Sequence, residues 1–366
     1  MAMLFPVVPP FADSLGADVT QVGFLVSLQL YVAAALVTPI GMLSDRIGRR
    51  KLLIAGICLN LASFLVYLLS SNLGMLAAAR VLGGLSNGAL FPATSTMIVD
   101  MVAPEKRGQA MGSLTTASQA GSMLGPAAGG FILKHLGFQA VFLAAAVSAA
   151  LSLAICLIKI RGGPISAAPA SKNRAAFDWL IRRRVLAALL AISFIMFGLA
   201  SVNTFLPLYG REIAIGVDTV GLIIATLYLG SVLTRLLGGW LSDRAGRSPV
   251  ILTGLALGSA GIFFISSFVT EAPLHLAGFL FGLGMGLALP ASAALLADVA
   301  PFHMRGLAMG LYSLAFFTGQ AIAATGLGLA APWIGFKGMY LATSIGMGAA
   351  LVAVFALTRR KVTVLV

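Results

Sequence analysis

Two short stretches concentrate charge in an otherwise apolar chain. The stretch GMLSDRIGRR, from Gly41 to Arg50, carries four charged residues, and GWLSDRAGRS, from Gly239 to Ser248, nearly repeats it. Only 10% of the 366 residues are charged, 59% are hydrophobic, and the mean hydropathy is +1.01. A soluble globular domain is about a quarter charged, so this composition is typical of a membrane protein.

Apolar stretches of about 20 residues, long enough for a helix to cross the hydrocarbon core, recur along the chain. No region alternates apolar and polar residues as a transmembrane barrel would. The pattern therefore predicts an all-α polytopic membrane protein. Its predicted spans are 21–43, 52–70, 74–99, 109–133, 137–158, 185–208, 218–242, 249–269, 273–298, 307–330 and 338–358. Cys58 and Cys156 fall within these spans, where we expect buried thiols and neither a disulfide nor a metal site.

The net charge of +13 is unevenly distributed between the two sets of loops. Most of the 24 Lys and Arg residues lie in the loops that include the two charged stretches, whereas Lys134, Arg211 and Lys337 lie in the opposite loops. By the positive-inside rule, the charged stretches and the C-terminus are expected in the cytoplasm, and the protein in the cell (inner) membrane. The basic surplus is then explained by topology, and no nucleic-acid partner is expected.

The two halves of the chain share one sequence plan at an offset of 198 residues. The residue pairs with this offset are Asp45/Asp243, Pro9/Pro207, Gly23/Gly221, Pro92/Pro290, Asp100/Asp298, Arg107/Arg305 and Gly112/Gly310. A constant offset over roughly a hundred residues predicts two helical bundles related as parallel repeats. We place them at residues 1–158 and 185–366, joined by a cytoplasmic linker at 159–184 that is rich in Pro, Ala and basic residues.

The repeat also predicts that the first helix is truncated in this chain. Met1 aligns with Leu199, which lies well inside the span predicted at 185–208. The segment MAMLFPVVPP is too short to cross a bilayer as a helix. We therefore expect the working protein to begin upstream.

Three motifs carry a resemblance to a known family. The G-x-L-S-D-R-x-G-R-R stretch resembles the signature loop of the major facilitator superfamily, and Gly239–Ser248 resembles its degenerate second copy. LAAARVLGGLSNGA, Leu76 to Ala89, is similar to the family's fourth-span motif but has Gly83 where glutamine is usual. GSMLGPAAGG, Gly121 to Gly130, matches the fifth-span motif of the drug–proton antiporter branch. The resemblance implies two pseudo-symmetric six-helix bundles that transport a small molecule by alternating access.

The charged stretches are expected to form a cytoplasmic latch. Asp45 and Asp100 end two predicted spans, and a carboxylate at a helix C-terminus is unfavourable without a nearby cation. We predict two clusters of ion pairs that open during transport, formed by Asp45, Arg46, Arg49, Arg50, Asp100 and Arg107 in the first half and by Asp243, Arg244, Arg247, Asp298 and Arg305 in the second. The alternative, that these residues only anchor topology, requires basic residues but neither the aspartates nor a fixed spacing.

The fifth-span motif is present in only one half. Its residues are Gly121, Gly125, Pro126, Gly129 and Gly130. The second half keeps Gly319 and Gly328 but has alanine or leucine at the other three positions. Glycines let another helix approach closely and proline permits a kink, so we favour a functional bend. The alternative is that the small residues mark close packing only.

Two arginines lie within predicted spans. A lipid-facing arginine at the bilayer centre costs about 2.5–3.5 kcal/mol on insertion scales, so Arg80 and Arg235 are expected to face a wet cavity or a partner. Arg235 has the alternative of extending its guanidinium to the interface. Further cavity candidates are Gln29, Tyr31, Asn87, Asn203, Tyr228 and Gln320, each of which has packing as its alternative role.

Proton coupling needs a group whose pKa can move across the working pH. The acidic residues all fall in loops or near span ends, and arginine stays protonated. Arg80 could instead lower the pKa of a facing carboxylate, which we expect on the missing part of the first span.

The sequence thus predicts a secondary transporter that exports a small amphipathic or drug-like compound in exchange for protons. Uptake or export of a sugar or other metabolite is the alternative. No G-x-x-x-x-G-K-[ST] or H-E-x-x-H motif is present, so a membrane-embedded enzyme is a weak alternative. We expect a monomer in the lipid bilayer, with no cofactor and no metal.

Overall fold

The computed structural model describes the backbone of residues 1–102, 106–159, 179, 182–301 and 304–359. Some residues within these ranges have a described backbone but no described side chain. They are 38, 41–47, 95–96, 99–101, 107–109, 111–112, 236 and 305–306. The predicted linker at 159–184 lies largely outside it as well. Trp179 is described and buried, and its indole Nε1 donates to the Val299 carbonyl at 2.8 Å.

The described part of the chain is helical and contains no strand. A 3₁₀ turn at Ala2–Leu4 precedes α1 (Val8–Ser14), α2 (Val19–Ile47), α3 (Arg49–Leu69), α4 (Leu73–Met101), α5 (Arg107–Lys159), α6 (Arg183–Glu212), α7 (Val217–Ala245), α8 (Arg247–Ser267), α9 (Glu271–Val299) and α10 (Arg305–Arg359). Within the described residues, nine of these helices are long and apolar enough to cross a membrane.

Helices α5 and α10 each comprise two successive spans. Their paths are interrupted at Gly137 (φ 81°, ψ 179°) and at Gly335 (φ 62°, ψ 176°), both non-helical conformations. A positive φ is costly for a residue with a β-carbon, so glycine is the residue that permits these sharp breaks. Both breaks fall at predicted span boundaries, because Gly137 is the first residue of the span predicted at 137–158 and Gly335 lies between the spans predicted at 307–330 and 338–358.

The backbone repeats at the offset found in the sequence. Helices α2, α3 and α4 begin and end 198 residues before α7, α8 and α9. The positive-φ residues of the described chain form three pairs with the same offset: Gly16/Ala214, Gly48/Gly246 and Gly137/Gly335. Ala214 is the single non-glycine member, and it adopts φ 58° because the turn before α7 copies the turn before α2.

The density of contacts divides the chain into two compact units. The first unit comprises Met1–Ala170, Asn203–Ala225 and Ala324–Pro332. One part of its core packs α3 against α4 through Leu53, Ala93 and Met97, together with Cys156. An aromatic group joins α1, α3 and α5, because the Phe142 ring lies 4.9 Å from Phe11 and 5.2 Å from Tyr67.

The second unit comprises Ser171–Val202, Thr226–Ala323 and Trp333–Val366. Helix α9 is largely buried against α8, where small residues bring the two backbones together. A β-carbon added at Gly254 would lie 2.7 Å from the Gly284 carbonyl oxygen and 2.8 Å from Ala288 Cβ. The predicted division into bundles 1–158 and 185–366 stays a prediction.

One expectation about side-chain burial was wrong. Cys156 is buried, but Cys58 is exposed on α3, and both thiols are free. A position inside a span does not fix burial, because each helix of a membrane protein presents one side to the lipid.

Candidate functional site

A buried arginine organises a polar cluster in the first unit. The Arg80 side chain on α4 is 8% exposed. Its Nε donates to the Leu25 carbonyl of α2 at 3.0 Å, and its Nη1 donates to Gln29 Oε1 at 2.6 Å and to the Tyr67 hydroxyl of α3 at 3.4 Å. We call Gln29, Tyr67 and Arg80 the Arg80 cluster. These three side chains cross-link α2, α3 and α4 inside an apolar bundle.

The Arg80 cluster has no counterpart in the second half. The residues 198 positions later are Leu227, Ile265 and Gly278. Leu227 and Ile265 are fully buried and apolar. The same arrangement of helices is therefore built once with and once without polar groups, so packing alone does not require the cluster.

Gly83 makes room for the cluster. A β-carbon at Gly83 would lie 3.2 Å from Gln29 Cδ and 3.3 Å from its Oε1. Gly83 is the position at which this sequence departs from the fourth-span motif. The departure leaves space for the Gln29 amide to reach Arg80 from the neighbouring helix.

Sequence reasoning selected Gln29 and Arg80 but missed Tyr67. The available signal was a phenolic hydroxyl within LASFLVYLL, Leu61 to Leu69, a stretch that is otherwise almost entirely apolar. A buried tyrosine normally needs a partner for its hydroxyl, and here the guanidinium provides one.

The other cavity candidates are dispersed. The Tyr31 hydroxyl accepts a 3.4 Å hydrogen bond from Thr325, and Asn87 is half-buried two helical turns beyond Arg80 on α4. Asn203 and Tyr228 are buried, in the first and second unit respectively. Gln320 donates to the Phe316 carbonyl of its own helix at 3.2 Å. Arg235 is half-buried on α7.

The fifth-span motif lies where α5 meets other backbones. A β-carbon at Gly125 would lie 2.8 Å from Ala2 Cβ, and one at Gly129 would overlap the Met3 carbonyl oxygen. A β-carbon at Gly130 would lie 2.7 Å from the Val217 carbonyl oxygen of α7. Gly121 has open space around it, so close packing does not explain that member of the motif.

The crossing of α5 with α7 is repeated by α2 and α10. A β-carbon added at Gly221 of α7 would overlap the Pro126 carbonyl oxygen and lie 3.3 Å from Gly130 Cα. At the positions offset by 198 residues, a β-carbon added at Gly23 of α2 would overlap the Ala324 carbonyl oxygen and lie 3.1 Å from Gly328 Cα. Both crossings lie within the first unit, close to the N-terminal ends of α2 and α7.

Polar contacts connect the same helix ends. Lys134 Nζ forms a 2.7 Å ion pair with Asp218, and Arg211 forms an ion pair with Asp13. The Thr20 hydroxyl donates to the Gly328 carbonyl at 2.9 Å. We call the two glycine crossings and these three contacts the closed end of the first unit. Its ion pairs are solvent-exposed, so each stabilises the contact by only about 0–1 kcal/mol.

In the second unit, Arg247 brings together part of the predicted latch. Its Nε donates to Asp298 at 2.9 Å, and its Nη1 donates to Asp243 and, at 2.8 Å, to the Ser242 hydroxyl. The two aspartates lie near the C-termini of α9 and α7, where a cation offsets the helix dipoles. One arginine at the start of α8 therefore links three helix ends.

Three further latch candidates have described side chains. The Arg244 guanidinium lies 4.2 Å above the Trp240 ring, and Arg50 donates to the Leu157 carbonyl at 3.3 Å. Arg49 is half-buried at the start of α3. The side chains of Asp45, Arg46, Asp100, Arg107 and Arg305 lie outside the described part of the structure.

Comparison with known proteins identifies the family. The model of the Major Facilitator Superfamily matches residues 1–218 and again residues 188–365. The chain is 29% identical over 359 residues to "Multi-drug resistance efflux pump PmrA" of Streptococcus pneumoniae, covering 94% of this chain and 89% of the relative. It is 26% identical over 307 residues to "Multidrug resistance protein MdtG" of Klebsiella pneumoniae, covering 81% and 74% respectively.

Solved structures of transporters share the fold. The structure of a bacterial homologue of the human lysosomal transporter Spinster, in an inward-facing and occupied conformation, matches with a TM-score of 0.84 at 15% identity, over 98% of this chain and 93% of that one. A peptide transporter of the POT family matches with a TM-score of 0.79 at 18% identity, over 97% and 89%. Family and fold indicate a multi-pass membrane transporter of a small molecule and not an enzyme. The chain belongs to the Major Facilitator Superfamily.

Proposed function

We propose that this chain exports small amphipathic or drug-like compounds in exchange for protons, by alternating access. The names of the relatives PmrA and MdtG, both multidrug resistance proteins, support export. The chain covers most of the length of both relatives. A monomer in the cell (inner) membrane, with its C-terminus in the cytoplasm, completes the proposal.

The observation that carries alternating access is the closed end of the first unit. There α5 and α10, which belong to different sequence repeats, each cross a helix of the other repeat with backbones in contact. Small residues and exposed polar contacts join these helices, so they can separate without opening a core of interlocked large side chains. A transporter that alternates between two open states needs such a contact at the end that is closed.

Proton-driven export can be measured with the purified chain in liposomes. We expect ethidium to move against its concentration gradient when the compartment that receives it is acidic. The movement should stop when nigericin in potassium buffer collapses the pH gradient. Equal ethidium movement with and without a pH gradient would contradict proton coupling, and no movement in either case would contradict the export of this class of compound.

The proposed topology predicts which single cysteines react from each side. In a Cys58→Ser, Cys156→Ala background, cysteines at Ser44, Ala168 and Val362 should be protected from an impermeant maleimide in intact cells and react after permeabilisation, because basic loops are retained in the cytoplasm. A cysteine at Gly16, in an opposite loop, is the matched control and should react without permeabilisation. Reaction of Ala168→Cys in intact cells would reverse the assignment.

A further inference from the structure

A titratable contact joins α7 and α9 in the second unit. His275 lies in the second turn of α9, and its Nδ1 is 3.0 Å from the Thr226 hydroxyl of α7. Both side chains are half-buried. Their neighbours in sequence, Leu227 on α7 and Leu274 on α9, are fully buried. An imidazole and a hydroxyl therefore form a polar contact between two mainly apolar helices.

Packing of these two helices does not account for the histidine. The residue 198 positions before His275 is Ala77. The crossing itself is the same in both repeats, because a β-carbon at Gly84 of α4 would clash with a carbonyl oxygen of α2, and one at Gly282 of α9 would clash with a carbonyl oxygen of α7. The first repeat thus forms this crossing with an alanine where the second repeat has a titratable side chain.

Helix α7 also forms part of the closed end of the first unit. A β-carbon at Gly221 would overlap the Pro126 carbonyl oxygen of α5. Thr226 follows Gly221 by about one and a half helical turns. The beginning of α7 is therefore held by α5 within the first unit and, slightly further along, by His275 within the second. A change at His275 can move the beginning of α7, on which the closed end depends.

Protonation of His275 would weaken its contact with Thr226. Histidine ordinarily titrates at about pH 6.5. A neutral imidazole can accept the Thr226 hydroxyl proton at Nδ1, whereas an imidazolium donates from both ring nitrogens. The hydroxyl would have to turn its proton away, and a positive charge would lie among apolar side chains near the positive end of the α9 dipole. Both changes disfavour the packed arrangement, so protonation is expected to loosen α7 from α9.

Charged groups around His275 are few. Glu271, one turn earlier on α9, is exposed, so solvent screens its attraction for an imidazolium and protons reach this end of the helix. The segments 185–210 of α6 and 248–270 of α8 and the following loop carry no charged residue. The charged residues that flank the contact on α7, and the one that begins the last span of α10, are Asp218, Arg235 and Lys337. The first two lie at least two helical turns from the contact along α7, and the third is exposed.

We infer that His275 and Thr226 form a pH-sensitive switch through which external acid opens the closed end, an inference that rests on the proposed function. In the proposed topology α9 begins on the outer side, so His275 responds to the protons that enter in exchange for the exported compound. At neutral external pH the contact holds α7 and the closed end stays formed. In acid the imidazolium releases α7, and the equilibrium shifts towards the open state.

The distance between α5 and α7 at the closed end measures this switch directly. Spin labels are attached to cysteines at Leu136 of α5 and Leu222 of α7, both exposed, in the Cys58→Ser, Cys156→Ala background. Pulsed EPR of the full chain in nanodiscs, where no pH gradient exists, should show two distances. We expect the ratio of the longer to the shorter to rise about fivefold from neutral to acidic pH, with a midpoint at about pH 6–7.

Two substitutions should fix the switch in opposite positions. His275→Gln keeps a neutral hydrogen-bonding side chain beside Thr226, so the shorter distance should persist at every pH. Thr226→Val removes the hydroxyl, so the acid distribution should be present already at neutral pH. Thr226→Ser and His135→Gln are the matched controls and should respond to pH like the wild type, because the first keeps the hydroxyl and the second changes an exposed histidine next to the α5 label.

A wild-type distance that does not change with pH would overturn the switch. The same midpoint in His275→Gln as in the wild type, or an unchanged pH response in Thr226→Val, would overturn it as well.

Ethidium export in liposomes separates this inference from the proposed function. A pH-dependent distance that is lost in His275→Gln, together with absent proton-driven export, would overturn the proposed function alone. Proton-driven export combined with a pH-dependent distance that His275→Gln leaves unchanged would overturn the switch alone.

Discussion

Replacing Gly130 by leucine is expected to reduce transport to below about a tenth of the wild-type rate. A β-carbon at this position would already lie 2.7 Å from the Val217 carbonyl oxygen and 3.1 Å from Asp218 Cα, and both contacts are backbone atoms of α7. Neither atom can rotate away, so α5 and α7 must move apart and the closed end of the first unit cannot form. Initial rates of proton-driven ethidium export in liposomes measure the effect.

Gly121→Leu is the matched control on the same helix. Gly121 has no neighbouring atom within 4 Å of an added β-carbon, so we expect near wild-type transport. Gly130→Ala should lie between the two, because it adds the clashing carbon without the rest of the side chain. Thermal unfolding of each variant in detergent shows whether that variant is folded. Equal rates for Gly130→Leu and Gly121→Leu would rule out the closed end as a requirement for transport.

The second large effect is expected at Arg247. Arg247→Gln removes the cation shared by Asp243 and Asp298 and leaves two carboxylates facing each other near the C-termini of two helices. Both carboxylates are largely exposed although the Arg247 side chain is only 24% exposed, so the loss of folding stability is small, about 1 kcal/mol for each pair. A change of about 1 kcal/mol in the free-energy difference between two transport states changes their population ratio about five- to tenfold. We therefore expect the transport rate to fall by a comparable factor, while insertion into the membrane is unchanged.

Arg244→Gln distinguishes a latch from a topology signal. Arg244 belongs to the same loop and carries the same charge, but it stacks on Trp240 and makes no described ion pair. Its replacement should therefore leave transport within about twofold of wild type. The triple variant Asp243→Asn, Asp298→Asn, Arg247→Gln should recover part of the rate lost in Arg247→Gln by removing the repulsion between the two carboxylates. An equal fall in transport rate for Arg244→Gln and Arg247→Gln would contradict the latch and would indicate that these residues only set the membrane topology.

Hydrophobic length and the repeat predicted the helices of this protein well. A membrane helix needs about 20 apolar residues, so its length follows from the bilayer. The duplication also indicates each helix end twice, once in each half of the chain. The breaks at Gly137 and Gly335 illustrate this, since both lie at predicted span boundaries and the offset relates one to the other. Ala214 shows its limit, because no local sequence preference predicts a positive φ at an alanine.

Contacts between helices could not be predicted in the same way. Placing Tyr67 and Gln29 beside Arg80 requires the rotation of α2 and α3 about their own axes, which a uniformly apolar helix surface does not encode. The same uncertainty left Gly121 in one motif with Gly130, although only Gly130 is in contact with α7. Hydrophobic periodicity, which orients helices in soluble proteins, is weak where lipid replaces water.

The pairing of Asp13 with Arg211 has a consequence for how the two repeats can evolve. The two residues are separated by 198 positions and are therefore the same position in each repeat, facing itself. Two identical copies would place aspartate against aspartate or arginine against arginine, and each arrangement repels itself. Opposite charges at a self-facing position let each half recognise the other and reject its own duplicate, so two first halves or two second halves from neighbouring molecules are poor partners. In an ancestral duplication of identical halves, a change of charge at this one position would have replaced the repulsion by an ion pair.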